Sequence, residues 1–168
     1  MERVMSGQPD AQAMQEAIDK MTIGEMQSRY MFALDWRDPD MYASLFTDHA
    51  VLEWPEGRAE GKEAIRTSCE RVGAFFDAIS NATPNKKPFA LRHFVTNQVF
   101  DIQGDTACAW AYWFDLSNDN MARWPYVAGY GYYEDELVRT ADGWRFSRRK
   151  VMNDISAESP REIPINRW

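Results

Sequence analysis

Two cysteines and two histidines are all that this 168-residue chain has of the side chains most used to hold transition metals. Cys69 and Cys108 have no CxxC neighbour and no histidine at metal-ligand spacing, so no zinc site is expected, and free thiols in a reducing compartment are the default. Basic charge is also short. The 19 Lys and Arg against 26 Asp and Glu leave a net charge of -7, which argues against nucleic acid or an anionic membrane as partner. No apolar run approaches the roughly 18 residues of a membrane helix. The acidic, polar start MERVMSGQPDAQAMQEAIDK lacks the apolar centre of a secretory signal. No GxGxxG or phosphate loop offers a nucleotide cradle. Together these absences predict a cytoplasmic protein that works without metal, flavin or nicotinamide.

What is present fits one globular domain, with 45% hydrophobic residues. Residues 1–9 read as a mobile arm, 10–155 as the domain and 156–168 as a tail. A helix is predicted from Asp10 to Leu34, its apolar stripe being Met14, Ile18, Met21, Met26, Tyr30, Ala33 and Leu34, with Gly24 bending or dividing it. A short second helix follows the Asp38-Pro39 turn and ends near Phe46. TDHAVLEWPEG then reads as a strand and a turn at Pro55 to Gly57. A third helix runs from Gly61 to Ile79 with Ile65, Val72, Phe75, Phe76 and Ile79 as its apolar positions, and SNATPNKKPF is a covering loop. Strands are predicted at Ala90–Ile102, Thr106–Leu116, Tyr126–Thr140 and Trp144–Asp154, with hairpin turns at Gln103-Gly104-Asp105 and Ala141-Asp142-Gly143. The basic run Arg148, Arg149 and Lys150 reads as a solvated strand face. Helices first and an antiparallel meander after them make an α+β fold, a curved sheet around helices with one open end.

Chemistry concentrates in a few polar residues set in apolar runs. In LRHFVTNQVF, strand alternation puts Leu91, His93, Val95, Asn97 and Val99 on one face. Such a histidine is either a satisfied core group or a base that titrates near neutrality. Asp35 ends the first helix between Leu34 and Trp36, where its charge opposes the helix dipole. It is either a solvated helix-end acid or the group that orients His93. Tyr30 is five residues earlier, about 140° around the helix, so it meets Asp35 only if a pocket surrounds the helix end. Asp115 closes the column Ala107, Ala109, Ala111, Trp113, whose small residues leave space for a helix or for a ligand. Trp54, Phe75, Phe76, Trp113 and Tyr126 are candidate apolar walls, and Asn97 a candidate substrate contact. His49 reads as ordinary surface.

From Met21 to Asp154 the chain resembles the SnoaL-like branch of the nuclear-transport-factor-2-like superfamily. The resemblance rests on RYMFALDWRDPDMYASLFTDHAVLEWPEG, GKEAI, RHFVTNQVFDIQGDTACAW and YYEDELVRTADGWRFSRRKV. It implies a cone of helices in a strongly curved, mixed, mostly antiparallel sheet, assembled as a dimer or trimer. Scytalone dehydratases and bile-acid dehydratases of this superfamily are cofactor-free lyases, and the bile-acid pattern of helix Tyr-x4-Asp, strand His and later strand Asp corresponds to Tyr30, Asp35, His93 and Asp115. Two departures are visible: one pocket histidine where scytalone dehydratases use two, and Asn153 near the position of a late arginine. Related lyases that strip formaldehyde from lignin-derived aryl propanoids share the fold.

The reading is therefore a cofactor-independent lyase that eliminates water or formaldehyde from a hydroxylated aromatic or polycyclic small molecule. His93 is the base, Asp35 its orienter, Tyr30 the hydrogen-bond donor to the leaving or developing oxygen, and Asp115 the residue that places substrate or returns the proton. A ketosteroid-isomerase-like or polyketide-cyclase-like enzyme is one alternative. A non-catalytic scaffold, like the small subunit of ring-hydroxylating dioxygenases, is the other.

Overall fold

In the computed structural model, residues 10–82, 87 and 89–156 are described. The proposed arm, half of the covering loop and the tail beyond Ser156 lie outside them. Helix α1 spans Ala11–Asp35, α2 Pro39–Ser44 and α3 Lys62–Ala82, while the strands are β1 Phe46–Trp54, β2 Gly57–Glu60, β3 Leu91–Gln103, β4 Thr106–Ser117, β5 Tyr126–Thr140 and β6 Gly143–Asn153. They form one sheet in the order β2-β1-β6-β5-β4-β3. The β1–β6 pair is parallel and every other pair is antiparallel. The sheet is open, with β2 and β3 at its edges, and its curvature goes with bulges in the β3–β4, β4–β5 and β5–β6 ladders. This is the expected α+β, mixed and mostly antiparallel architecture. The strand β2, four residues long, was missing from the sequence reading.

The helix starts follow from local chemistry. Asp10 accepts the Ala13 N–H at 2.7 Å and Asp38 the Met41 N–H at 2.9 Å, with Pro39 at the first helical position where no N–H is needed. Gly24 does not divide α1. It lets the helix lie close to β3, because a Cβ there would meet Gln98 Oε1 at 3.0 Å. The stripe read for α1 needs correction at its first half: Met14, Ile18 and Met21 are exposed, whereas Asp19, Ile23, Met26, Gln27, Tyr30, Met31 and Ala33 are buried. Asp19 and Gln27 tolerate burial because each is hydrogen-bonded inside, to Arg139 and Trp144 in one case and to Asp135 in the other.

The core fills the space between α1 and the concave face of the sheet. Ala107, Ala109, Ala111 and Trp113 of β4 are all buried, and the three alanines leave room for the larger Ile23, Met26 and Met31 in the same cluster. Phe46, Phe146 and Tyr30 meet ring to ring at 5.2–6.1 Å. No helix among the described residues is long and apolar enough to cross a membrane.

Candidate functional site

The C-terminal end of α1, the start of β3, the end of β4, the start of β5 and the end of β6 all lie at the same end of the sheet, as the ladder register requires. The two hairpin turns lie at the other. Asp35, the last residue of α1, faces β3. Its Oδ1 is 2.6 Å from His93 Nδ1, and its two oxygens accept the His93 backbone N–H at 3.0 and 3.2 Å. Both side chains are largely buried, at 6% and 12% exposure. A carboxylate that opposes its own helix dipole is therefore offset by two donors from one neighbouring residue. With Asp35 accepting at Nδ1, the proton of a neutral imidazole sits on that nitrogen and the Nε2 lone pair is left available.

Asp115 stands directly opposite His93 in the β3–β4 ladder. Burial pushes its carboxyl up from the usual range, while the charge of His93 and the backbone N–H groups of Gly129 and Asp115 pull it down. Gly129 makes the arrangement possible, since a Cβ at that position would stand 2.6 Å from Asp115 Oδ1. Trp113 lies 6.3 Å from the His93 ring, stacks on Tyr133 at 6.0 Å and donates its indole N–H to the Met152 carbonyl at 3.0 Å. That bond fixes the ring as a wall beside the histidine.

Tyr30 is buried a turn and a half before Asp35, and its hydroxyl is 2.7 Å from that of Tyr42 on α2. Burial raises its pKa, against the opposing charge of Arg149, so the phenol stays neutral and serves as a hydrogen-bonding group. Tyr30 and Tyr42 line a cavity of about 230 Å3 together with Leu34, Leu52, Trp54 and Val151. Trp54, one of the candidate apolar walls, is among the residues that line it. Tyr42 escaped the sequence reading; its only signal was a lone tyrosine on a short helix after a proline turn. Phe76 lines a separate cavity of about 110 Å3 that includes Asp35, Leu91 and Arg92, and stacks on Phe89 at 5.7 Å.

Three expected lining residues are elsewhere. Asn97 has φ 52° and is exposed, because the β3–β4 register slips between Thr96 and Val99. This bulge reverses the alternation, so Gln98 rather than Asn97 turns inward and donates to Gln27 Oε1 at 3.2 Å. Phe75 is 61% exposed: the buried line of α3 is Ile65, Cys69 and Gly73, and a residue two past Gly73 is about 200° around the helix. Tyr126 is 44% exposed and donates its hydroxyl to Asp119. His49 is exposed as expected.

The basic run of β6 also needs correction. Arg148 and Lys150 are partly exposed, but Arg149 is fully buried, because a bulge near Phe146 turns it into the core. It makes two bonds of 2.8 Å to Asp135 and packs its guanidinium 4.1–4.2 Å from the rings of Tyr30, Tyr133 and Phe146. This cation locks Tyr30 in place from below.

Three similarities place the chain among known proteins. A solved NTF2-like protein with a cystatin-like fold from Novosphingobium aromaticivorans superimposes with a TM-score of 0.70 at 21% identity, covering 91% of this chain and 96% of that one. A proposed scytalone dehydratase from the same species gives 0.68 at 22%, over 91% and 97%. A cystatin-like protein of unknown function from Nostoc punctiforme gives 0.67 at 25%, over 83% and 94%. No curated protein matches the sequence. The SnoaL-like domain model matches residues 15–150, most of the chain, and this chain belongs to the SnoaL-like domain family.

Proposed function

We propose that this protein is a cofactor-independent lyase that eliminates water or formaldehyde from a hydroxylated aromatic small molecule. The observation that carries the reading is the 2.6 Å contact of His93 Nδ1 with Asp35, which leaves Nε2 free to act as a base. In a dehydration, Nε2 takes a proton from carbon, the C–H pair becomes the new double bond, and the departing hydroxyl collects a proton from Tyr30 or from Asp115 in its acid form. In a loss of formaldehyde, Nε2 takes the hydroxymethyl O–H proton, the C–C bond breaks into the conjugated system, and the carbon is reprotonated. Both reactions need a base, an acid and a dry pocket, and the substrate's own conjugation carries the charge. The buried position of Asp115, whose carboxyl burial pushes up, suits proton return better than permanent charge.

The same parts serve an isomerase or cyclase, and the paired Tyr30 and Tyr42 hydroxyls favour that reading to the extent that they would stabilise an enolate oxygen. One experiment decides among these. Chelator-treated, dialysed protein is incubated with hydroxylated aryl propanoids, and the products are followed by ultraviolet absorbance and a formaldehyde assay. A new conjugated product supports the lyase, with formaldehyde marking the C–C route. Activity that returns only with added metal or cofactor, or an isomer of unchanged mass, overturns it.

A further inference from the structure

We propose that the cavity under α3 takes a small aromatic acid, and that Arg71 is the residue that binds its carboxylate. This deepens the reading above by naming the charged group of the substrate, and it rests on that reading through Tyr30, the one residue of the proposed machinery that lines this cavity; His93, Asp35 and Asp115 do not line it.

Arg71 lines the mouth of the 230 Å3 cavity, on the same helix face as Ser68 and Val72. The other described arginines each meet a carboxylate, a backbone carbonyl or an aromatic ring. Arg71 meets none of these among the described residues. The contrast with Arg66, five residues earlier on α3, is direct: that guanidinium is held by Asp40 and Glu70, both at 2.7 Å. At the positions where a helix would supply a partner to Arg71 stand Thr67, Ser68, Ala74 and Phe75, none of them acidic. In a chain with net charge -7, an arginine left without a carboxylate at the edge of an apolar cavity is an unfilled anion contact.

The rest of the cavity defines the remainder of the ligand. Its walls are apolar side chains, including Leu52, Trp54 and Val151. Deeper in, the Tyr30 and Tyr42 hydroxyls are paired at 2.7 Å; one O–H is spent on the other oxygen, and one is left to meet a ligand oxygen. An anion at the mouth, flat apolar carbon between and an oxygen at the floor describe an aromatic acid. The volume of about 230 Å3 is below the roughly 300–1,000 Å3 usual for ligand pockets, which suits one or two rings rather than a four-ring skeleton.

The test is calorimetric titration of the full chain with naphthalene-2-carboxylate and with the neutral, near-isosteric naphthalene-2-carboxamide. The carboxylate is expected to bind about tenfold more tightly, the usual scale for one charge-assisted contact. Arg71→Gln should equalise the two affinities, and Arg71→Lys should keep part of the preference. Equal binding of both probes by the native protein, a preference that survives Arg71→Gln, or no binding of either probe overturns the proposal. His93→Ala is titrated in parallel: the carboxylate preference should persist there. Elimination is assayed on the native protein: an Arg71-dependent carboxylate preference in a native protein that eliminates nothing overturns the lyase reading alone, and elimination by a native protein that binds both probes equally overturns this one alone.

Discussion

Asp115 and Asp19 are both buried aspartates, 7% and 3% exposed, at opposite ends of the same sheet. The Arg139 guanidinium, at 2.6 and 2.8 Å, holds the Asp19 carboxyl down to about 2 against the cost of burial, with the Trp144 indole N–H adding to the effect. At Asp115 burial dominates and the carboxyl is pushed up, because no guanidinium among the described residues is bonded to it. The hairpin end is thus an electrostatically completed structure, whereas the other end keeps an acid whose charge His93 and two backbone N–H groups compensate only in part. An acid of the first kind is a fixed anion. An acid of the second kind can carry a proton, and it faces the histidine that would exchange one.

The sharpest way to break this contrast is His93→Ala. Turnover should fall by roughly 10²–10⁴-fold, the usual value of a positioned base, while the thermal unfolding midpoint changes little, since Asp35 keeps the backbone N–H of residue 93. Near-normal turnover would move the base to another residue. Arg149→Ala comes next and acts on the fold. It strands Asp135 in the core and should cost about 3–5 kcal/mol in urea unfolding; the double variant Arg149→Met with Asp135→Leu should recover much of that loss. A small loss in the single variant would mean that water reaches the pair.

Asp19→Asn should cost about 2 kcal/mol at pH 7, matching the gap between an ordinary carboxyl and one held at about 2. The sign follows from the lowered folded value: the stabilisation is present above the unfolded pKa and is lost as pH falls from about 4 towards 2. Stability curves of the native protein and of Asp19→Asn should therefore converge in acid. Asp115→Asn has the smallest effect and the opposite sign. Its raised folded value means that ionisation is disfavoured by the fold, a cost absent at low pH that grows as pH rises through the folded pKa. Asp115→Asn should be neutral or up to about 1 kcal/mol more stable at pH 7, with reduced turnover. A loss of stability like that of Asp19→Asn would erase the distinction between the two ends.

The sequence alone determined the order of helices and strands, because caps such as Asp10 and Asp38, the hairpin glycines and the period-two runs are local signals. It also marked Asp35, His93 and Asp115 as polar residues in apolar surroundings, and the structure brings these three together. Where a residue points was a different matter. The bulge at Asn97 exchanged inward and outward positions along β3, and another beside Phe146 drew Arg149 out of an apparently solvated run into the core. A single inserted residue flips every later side chain to the other face, and local sequence does not show it when both neighbours are polar. Tyr42 and Arg71 matter through the cavity that α1, α2, α3, β1 and β6 enclose between them. Only tertiary packing decides which side chains share that space and which arginine is left without a carboxylate, carbonyl or ring among the described residues.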